Sequence, residues 1–305
     1  RDKRVIVTGH TGFKGSWLIS WLKLLGSEVV GIADGIPTSP SNYEISSMQS
    51  FIKNYKADIR DVEKIKEIIT SFKPDFIFHL AAQALVKKSY KDQLETISTN
   101  AIGSASLLES LLNYKDKLVL IMITSDKVYD NKEWLWGYRE NDELGGHDPY
   151  SVSKTMAELA IKSYIESSFN KKNTNIRIGI GRAGNVIGGG DWAEDRIVPD
   201  CVKAWSKNKI LEVRNPMSTR PWQHVLEPLS GYLKLAYLLD KSRKFHGNSY
   251  NFGPAEENNY SVKELIEEMS KYWNKSKWND VSNKKVSFKE SSLLKLNCEK
   301  SFRDL

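Results

Sequence analysis

Two residues of the sequence have types and a spacing that suit redox chemistry on a hydroxyl group. Tyr150 and Lys154 stand four residues apart, which places a phenol and an ammonium group on one face of a helix. A cation beside a phenol lowers the free energy of the phenolate, so we expect Lys154 to lower the pKa of Tyr150. A tyrosine assisted in this way can take the proton of a sugar or alcohol hydroxyl while a nicotinamide takes the hydride.

A glycine-rich segment near the start of the chain predicts a dinucleotide site. Gly9, Gly12 and Gly15 follow a β-branched run at 4–8 and open a segment with apolar residues at helical spacing. Such a turn brings backbone N–H groups and the positive end of a helix dipole to a pyrophosphate. A tight turn between a strand and a helix, without a ligand, is the alternative. The residues expected to bind the cofactor in this segment are Gly9, Thr11, Gly12, Phe13, Lys14 and Gly15.

Acidic and small residues at later strand ends extend this prediction. Asp34 is the candidate for holding the adenosine ribose, and the lack of an arginine directly after it favours NAD over NADP. Asp58 and Ile59 are candidates for the adenine side, although Asp58 could instead belong to the N-cap region of a helix that starts near Val62. The segment 79–83 ends another strand and brings small residues to the expected nicotinamide wall, namely Ala81 and Ala82, followed by Gln83.

A hydroxyl, a carboxyl and an ammonium group follow a buried strand directly. Ser125, Asp126 and Lys127 stand at the carboxyl end of the apolar run 117–124, where open α/β sheets bind their ligands. Together with Tyr150 and Lys154 they form a set that can move several protons. A simple alcohol oxidation needs fewer groups.

The elements that must position these residues alternate along the first 180 residues. Strands are predicted at 4–8, 28–33, 75–80, 117–124 and 175–180, and helices at 12–25, 61–72, 96–114 and 150–169. This alternation predicts an α/β fold with a doubly wound parallel sheet. After Gly181 the strands become sparse, and a helix is predicted at 261–273. We therefore expect a dinucleotide-binding domain at 1–182 and a smaller, mixed substrate lobe at 183–305, with chain crossings between them.

Composition excludes several classes of protein. The 305 residues are 40% hydrophobic and 27% charged, and no apolar run reaches the roughly 18 residues of a membrane span. The net charge of +7 comes from lysines scattered among acids, which favours anionic substrates over nucleic acid. Cys201 and Cys298 form neither a zinc pattern nor a disulfide framework, and no metal site is expected. With no visible signal peptide, these thiols favour the cytoplasm.

The sequence resembles the extended short-chain dehydrogenase/reductase family, and within it the nucleotide-sugar 4,6-dehydratases that act on CDP-glucose. The glycine triplet and the Tyr/Lys pair are shared by the whole superfamily. More specific segments reach from the first strand to about residue 255. They read VTGHTGFKGSWL from Val7, HLAAQALV from His79, ITSDKVYDNKEWLWGYREND from Ile123, GGHDPYSVSK from Gly145, RAGNVIGGGDWAEDR from Arg182 and RPWQHVLEPLSGYL from Arg220.

The resemblance implies a Rossmann fold, a bound NAD recycled in each turnover and a lyase reaction. The 4-hydroxyl of CDP-glucose would be oxidised, water would leave across C5 and C6, and hydride would return to C6 to give CDP-4-keto-6-deoxy-glucose. Tyr150 would be the base at C4, Lys154 would hold the nicotinamide ribose, and Ser125 would bind the C4 oxygen. Asp126 would be the acid at the 6-hydroxyl. The product would enter deoxysugar synthesis for O-antigen-type polysaccharides such as lipopolysaccharide.

The resemblance leaves two residues with alternative roles. Relatives that act on dTDP-sugars carry glutamate at the position of Lys127, and the CDP-glucose branch carries lysine. We expect Lys127 to take the C5 proton, which requires a lowered pKa, with electrostatic stabilisation of the enolate as the alternative. Asn100 falls where the superfamily often keeps an asparagine near the active site and is expected at the cofactor, unless it only bonds backbone groups inside the fold.

The remaining candidates concern the substrate. Arginines suit a diphosphate and tryptophan faces suit a ring, so two segments supply the candidates. They are Asn185, Asp191, Trp192, Arg196, Arg220 and His224. Trp134 and Trp136 flank the catalytic loop and could line the sugar pocket, whereas His10 and His147 are given no catalytic part. Relatives pair through helices at 96–114 and 150–169, which predicts a homodimer or homotetramer.

Two other functions share part of this residue set. A nucleotide-sugar 4-epimerase needs the Tyr150/Lys154 pair but not Asp126 and Lys127. A dinucleotide-binding sensor or scaffold without turnover needs neither set, and the intact Tyr150/Lys154 pair argues against it.

Overall fold

A parallel sheet with helices on both faces forms the centre of the fold. The computed structural model describes residues 1–171, 174–283 and 291–305. Its strands are β1 Arg4–Thr8, β2 Glu28–Ala33, β3 Lys53–Lys56, β4 Phe76–His79, β5 Leu118–Ile123, β6 Ile176–Ala183, β7 Val186–Ile187, β8 Leu211–Val213, β9 Thr219–Arg220, β10 Gln223–His224, β11 Ser249–Phe252, β12 Tyr260–Ser261 and β13 Trp278–Asp280. Seven of them pair in parallel in the order β11-β6-β5-β4-β1-β2-β3. This confirms the predicted doubly wound sheet.

The α-helices are α1 Phe13–Leu24, α2 Asn42–Ile45, α3 Val62–Phe72, α4 Val86–Lys91, α5 Gln93–Ile97, α6 Gly103–Glu109, α7 Pro149–Tyr164, α8 Ile197–Trp205, α9 Leu226–Lys241, α10 Val262–Ser270 and α11 Glu299–Asp304. The longest helices, α7 and α9, pack beside the sheet. Turns of 3₁₀ helix lie at Met48–Ser50, Asp126–Val128 and Arg243–Phe245, and π-helical turns at Ser98–Ile102 and Ile165–Phe169. None of the helices in the described residues has the length and hydrophobicity that crossing a bilayer requires.

The hydrophobic core lies on both faces of the sheet. Every residue of β5 is buried, and its side chains alternate between the two faces. Val119 and Ile121 join the cluster that contains residues of α1 and α9, whereas Leu120 joins the cluster that contains Ile65 of α3 and other residues of α6 and α7. Because both faces of β5 are buried, its sequence is a continuous apolar run rather than an alternating one.

The structure corrects three predicted elements. The single helix expected at 96–114 is instead α5, a π-helical turn and α6, which ends at Glu109. The helix expected at 150–169 starts at Pro149 and changes to a π-helical turn after Tyr164. The strand expected at 175–180 runs to Ala183, because β11, which comes much later in the chain, pairs along it.

Part of the chain beyond residue 182 belongs to the sheet. The strand β11 forms its edge beside β6, and α9 packs on the same face as α1. A separate cluster around Trp205 and Ile266 lies in the lobe. The domain boundary at 182/183 stays a prediction. The strand β11 and the helix α9 follow this boundary in the chain and pack with the sheet domain.

Candidate active site

A cleft of about 1190 Å³ opens at the carboxyl ends of the parallel strands. The strand order changes direction between β1 and β4, which is where doubly wound sheets form a crevice for ligands. Most of the predicted site residues line this cleft. They are Gly9, Thr11, Gly12, Phe13, Lys14, Gly15, Asp34, Asp58, Ile59, Ala81, Ala82, Gln83, Ser125, Asp126, Lys127, Tyr150, Lys154, Asn185, Asp191, Trp192, Arg196 and Arg220.

The glycine turn between β1 and α1 leaves no room for side chains. Gly9 has φ +68°, and a Cβ there would lie 2.7 Å from the backbone nitrogen of Ala81. A Cβ at Gly15 would lie 2.7 Å from Cα of His10. The N–H of Gly12 donates to the carbonyl of Gly9 at 3.1 Å, which closes the turn. Only glycine at Gly9 and Gly15 allows this close backbone approach.

The start of α1 fits the diphosphate of a dinucleotide. Its N-cap is Gly12, which supplies no side-chain cap, and the first turn carries no acidic residue. The first N–H groups of α1 therefore point into the cleft without a side-chain acceptor. Thr11 Oγ1 donates to the carbonyl of Gly35 at 2.6 Å and so holds the loop after β2 against the turn. This contact places Asp34, directly after β2, in the wall of the same cleft.

Asp58 is held by an arginine and is not a helix cap. Asp61 is the N-cap of α3 and accepts from the backbone of Lys64, and Asp58 lies three residues before this cap. The carboxylate of Asp58 instead accepts from Nε of Arg60 at 2.9 Å and from Nη2 at 2.6 Å. Hydrogen bonds from Arg60 lower the pKa of Asp58, so it stays ionised in the cleft wall.

Asn100 lies behind the cleft and fixes its wall. It is 1% exposed, sits in the π-helical turn before α6 and is not a cleft-lining residue. Its Oδ1 accepts from the N–H of Gln83 at 2.8 Å, and its Nδ2 donates to the Gln83 carbonyl and to Ser153 Oγ. Asn100 therefore bonds backbone groups inside the fold, as the alternative prediction stated, and does not line the expected cofactor site. Asn100 joins the end of β4 to α7, where Tyr150 and Lys154 lie.

Tyr150 and Lys154 are held at the first turns of α7. The carboxylate of Asp148 caps this helix by accepting from the N–H groups of Tyr150 and Ser151, each at 3.0 Å. Pro149 occupies the first helical position, where its missing N–H has no consequence. Tyr150 and Lys154 are 8% and 6% exposed. Their heads line the cleft from the same helix face.

The pKa of Tyr150 in this site differs from the one expected from its neighbour Lys154. Burial raises the pKa of Tyr150 to about 12, and the hydrogen bond with Ser125 offsets only part of that effect. Burial, together with the charge of Lys14, lowers the pKa of Lys154 to about 8. In the protein without cofactor the phenol pKa is therefore raised rather than lowered, because burial is the largest influence on it.

Ser125 caps a 3₁₀ turn that follows β5 and contains Asp126 and Lys127. Ser125 Oγ accepts from the N–H of Lys127 at 3.2 Å and donates to Asp126 Oδ1 at 3.0 Å. Asp126 is 3% exposed, and its Oδ2 has no hydrogen-bond partner within the described part of the chain. Burial raises the pKa of Asp126, against the charges of Lys127, Lys14 and Arg220. A carboxyl group of this kind keeps its proton to a higher pH than an exposed one, which suits it to proton donation.

Lys14 contributes more than its place in the glycine turn indicated. It is the second residue of α1, and its ammonium group interacts with Arg196 and Asp126 across the cleft. Burial and the charge of Arg196 lower its pKa to about 8. Lys127, Lys14 and Arg220 carry the positive charges that act on the carboxyl of Asp126, so this part of the cleft suits an anionic ligand.

The lobe side of the cleft holds most of the predicted substrate residues. Asp191 accepts from Arg196 Nη1 at 2.8 Å and thereby orients this guanidinium group. Asn185 and Trp192 lie on the same segment after β6, and Arg220 is 8% exposed in β9. His224 is exposed, accepts from the N–H of Leu226 at the start of α9 and does not line the cleft.

Trp134 and Trp136 also lie away from the cleft. Their rings are 5.3 Å apart, and Trp134 packs on Tyr138 at 5.0 Å. Neither lines the cleft, so the structure does not bring them to a sugar pocket. This aromatic cluster instead packs against Leu294 and Leu296, near the C-terminal end of the sequence.

Sequence reasoning missed a charged cluster at the mouth of the cleft. Asp195 has φ +57° and lies 3.1 Å from Nζ of Lys87 and 3.5 Å from Nη2 of Arg214. Asp200 of α8 also lines the cleft, and burial raises its pKa to about 6. Asp195 belongs to the family-specific GGGDWAEDR segment, which could have indicated a place in the site. Nothing in the sequence predicts that Lys87 and Arg214 lie beside it.

The histidines and cysteines carry structural or surface roles in the structure. His10 is buried, bonds Asn54 at 2.9 Å and packs against Gly31. His147 is exposed and pairs with Asp130 at 2.8 Å. Cys201 and Cys298 are free and buried. The described residues contain no group of side chains arranged to hold a metal ion.

Comparison with known proteins identifies relatives over nearly the whole chain. The sequence model of the GDP-mannose 4,6 dehydratase family matches residues 6–304. The CDP-glucose 4,6-dehydratase of Salmonella typhimurium is 46% identical over 306 aligned positions, covering 99% of this chain and 84% of that protein.

Solved structures show the same fold at lower identity. A dTDP-glucose 4,6-dehydratase from Streptomyces venezuelae, solved with NAD, superposes with a TM-score of 0.82 at 21% identity, covering 99% of this chain and 90% of that one. A UDP-glucose 4-epimerase from Thermotoga maritima, solved with UDP-glucose, superposes with a TM-score of 0.80 at 20% identity, covering 98% and 91%.

Proposed function

Because this chain belongs to the GDP-mannose 4,6 dehydratase family, we propose that it is a nucleotide-sugar 4,6-dehydratase acting on CDP-glucose. The product is CDP-4-keto-6-deoxy-glucose, and water is released. The observation that carries this proposal is the buried carboxyl of Asp126, which lies in the same cleft as Tyr150 and Lys154. Oxidation of a hydroxyl needs the Tyr150/Lys154 pair. Loss of water needs a proton donor as well, and Asp126 can serve as that donor.

NAD is the cofactor of this proposal, and the residues of the cleft fit it. The turn of Gly9, Gly12 and Gly15, with the N–H groups at the start of α1, would hold the diphosphate. Asp34 would hold the adenosine ribose, and Asp58 and Ile59 would face the adenine. The bound cofactor would supply the redox chemistry, as acceptor of the C4 hydride and donor of hydride to C6.

The protein's own part in the oxidation is a proton transfer. Tyr150 takes the proton of the 4-hydroxyl, and Ser125 binds the same oxygen. Tyr150 and Ser125 line the same cleft and interact, so both groups can meet one substrate oxygen. Lys154 holds the nicotinamide ribose and supplies the nearby positive charge.

The loss of water uses the turn after β5. The C4 ketone acidifies the C5 proton, and Lys127 takes that proton as the base while the 6-hydroxyl leaves. Lys127 then returns the proton to C5 when hydride is added at C6, which gives the 6-deoxy product. Asp126 gives its proton to the departing 6-hydroxyl, which is consistent with the raised pKa that its burial causes. Arg196 and Arg220 bind the diphosphate, with Asn185 and Trp192 beside the substrate.

The test is incubation of the purified protein with CDP-glucose and NAD, followed by assay of the alkali-dependent absorbance of a 4-keto-6-deoxysugar. Parallel reactions with dTDP-, UDP- and GDP-sugars establish the nucleotide. Absence of the ketosugar with all of them contradicts the proposal. Formation of CDP-galactose without ketosugar supports a 4-epimerase instead.

We further propose that the protein is a homo-oligomer that pairs through α5, the π-helical turn and α7. Four apolar side chains on these elements are 40% exposed or more in the single chain. They are Leu94, Ile102, Met156 and Leu159. Apolar surface of this kind marks a protein contact, and a second copy of the chain covers it in this proposal.

The proposed place of the reaction is the cytoplasm, in deoxysugar synthesis for O-antigen-type polysaccharides. The two free, buried cysteines are consistent with a reducing compartment. Fractionation of cells that produce the protein tests this assignment, with recovery outside the cytoplasmic fraction as the contradicting result.

A further inference from the structure

We propose that Glu158 is a positioning residue of this active site, which sets the turn after β5 against the helix that carries Tyr150 and Lys154. The inference rests on the proposed function, because it concerns the same catalytic groups. Glu158 lies one turn after Lys154 on α7 and has no exposed surface. It does not line the cleft, so it acts through other residues.

The contacts of Glu158 join α7 to the end of β5. Its Oε2 accepts a hydrogen bond from Thr124 Oγ1 at 2.8 Å, and Thr124 directly precedes Ser125. Arg182 of β6 donates from Nε to Oε1 at 2.9 Å and to Oε2 at 3.0 Å, and its Nη2 donates to Oε1 as well. The same carboxylate therefore fixes three neighbouring elements at the catalytic edge of the sheet.

A second set of bonds makes this junction rigid. Arg182 is also fully buried, and its Nη1 donates to Tyr129 Oη at 2.7 Å and to the carbonyl of Glu140 at 3.1 Å. Tyr129 Oη in turn donates to Asn251 Oδ1 at 2.7 Å, in β11. Arg182, Tyr129 and Asn251 are each buried and bonded to a neighbour, so the carboxylate of Glu158 has little freedom to move. Lys162, at the partly exposed side of α7, adds an ion pair to Glu158 at 3.5 Å.

A contribution to stability does not by itself explain the buried ion pair of Glu158 and Arg182. Taking a carboxylate and a guanidinium group out of water costs several kcal/mol per ion, and apolar residues of similar volume often stabilise a fold as well. A buried ion pair does define geometry, because its hydrogen bonds have fixed directions. In this position the defined geometry is that of Ser125 relative to Tyr150, because Thr124 precedes Ser125 and Glu158 lies on the helix that carries Tyr150.

Two hydroxyl groups provide a matched test. Thr124 and Ser249 each donate one hydrogen bond to Glu158, at 2.8 and 3.0 Å, and each is buried. Thr124 adjoins the catalytic turn, whereas Ser249 lies in β11, which carries none of the proposed catalytic groups. Thr124→Val and Ser249→Ala remove these bonds one at a time and leave the Glu158–Arg182 pair in place. Both should lower Tm to a similar extent.

The expected result is a difference in turnover. Thr124→Val should lower kcat about 10- to 100-fold with little change in KM, because small misplacements of catalytic groups have effects of this size. Ser249→Ala should keep kcat within about twofold of the parent. Thr124→Ser, which restores the hydroxyl, should recover most of the lost kcat. Equal kcat losses in Thr124→Val and Ser249→Ala, or no recovery in Thr124→Ser, would overturn the inference.

A second readout separates this inference from the proposed function. Amide hydrogen exchange of the segments around Ser125 and Tyr150, measured without substrate, should be faster in Thr124→Val than in Ser249→Ala. If the parent protein converts no nucleotide sugar, the proposed function fails, and the exchange rates alone decide the positioning role. Equal exchange in the two variants contradicts that role.

Discussion

The phenol of Tyr150 and the hydroxyl of Ser125 line the same cleft and interact, although 24 residues lie between them in the sequence. One residue follows a central strand and the other lies in the first turn of α7. Their contact defines the point at which a substrate hydroxyl can meet both groups. It also offsets part of the effect of burial, which raises the pKa of Tyr150 to about 12.

Tyr150→Phe should lower kcat by about 100- to 10,000-fold, because the base at C4 is lost while the ring still fills its space. The fold and the affinity for NAD should remain, as measured by circular dichroism and by calorimetric titration. Tyr164→Phe is the matched control, since this tyrosine lies on the same helix and bonds Glu109 away from the cleft. Loss of NAD binding in Tyr150→Phe would assign the phenol a structural role instead.

Lys154→Met should stabilise the protein near neutral pH while it abolishes turnover. The folded-state pKa of Lys154 is about 8, against an ordinary value of 10.5. Below pH 8 the folded state must hold a buried ammonium group that the unfolded state leaves in water, a penalty on the order of 3 kcal/mol. As pH rises from 8 to 10.5, the folded protein loses this proton first and the penalty disappears.

Urea unfolding of Lys154→Met and of the parent at about pH 7 and pH 10 measures this effect. The gain in unfolding free energy should be largest at pH 7 and small at pH 10. Lys234→Met provides the control, because Lys234 is exposed on α9. A gain for Lys154→Met that is the same at both pH values would contradict the assignment to a buried charge.

Lys127→Ala should stop the reaction after the first oxidation, because the C5 proton then has no acceptor. In a single turnover, the absorbance of the reduced nicotinamide should rise and persist, with product formation lowered about 100-fold or more. Lys132→Ala, in the loop after the catalytic turn, should behave like the parent protein. Full turnover of Lys127→Ala without accumulation of reduced cofactor would exclude Lys127 as the C5 base and leave it an electrostatic role at most.

Gly15→Ala should weaken NAD binding at least tenfold, because the added Cβ would lie 2.7 Å from the backbone of His10. The turn would have to move, and the N–H groups of α1 would move with it. Gly189→Ala is the comparison, since a Cβ at that position meets no atom within 4 Å. Calorimetric titration with NAD measures both variants, and unchanged affinity in Gly15→Ala would contradict the proposed diphosphate site.

Leu159→Glu should convert the oligomer to monomer, because it places a charge in the proposed contact between copies. Leu159 is 53% exposed in the single chain, so the monomer should keep its fold. Leu24→Glu, at an 87% exposed position at the end of α1, is the control. Sedimentation equilibrium of the three proteins decides the point, and a parent protein that is already monomeric would refute the proposal.

Local sequence patterns were sufficient for most of the sheet and for the glycine turn. The strands β1 and β2 and the strand β5 could be predicted because burial on both faces requires continuous apolar runs. The edge strand β3 was missed, since Lys53 and Lys56 make it polar and exposed. The break in the predicted 96–114 helix was missed as well, because a π-helical turn has no distinct residue signature.

Residue types and spacing determined which groups of this protein can do chemistry. They identified Tyr150 and Lys154, the triplet from Ser125 to Lys127, and the glycines of the turn between β1 and α1, where the backbone passes too close for a side chain. Tertiary structure decided how those groups behave. Burial raises the phenol pKa despite the neighbouring ammonium group, and Glu158 and Arg182 meet across helix and sheet. Desolvation and long-range contacts depend on everything packed around a group, whereas a sequence pattern reports only its neighbours along the chain.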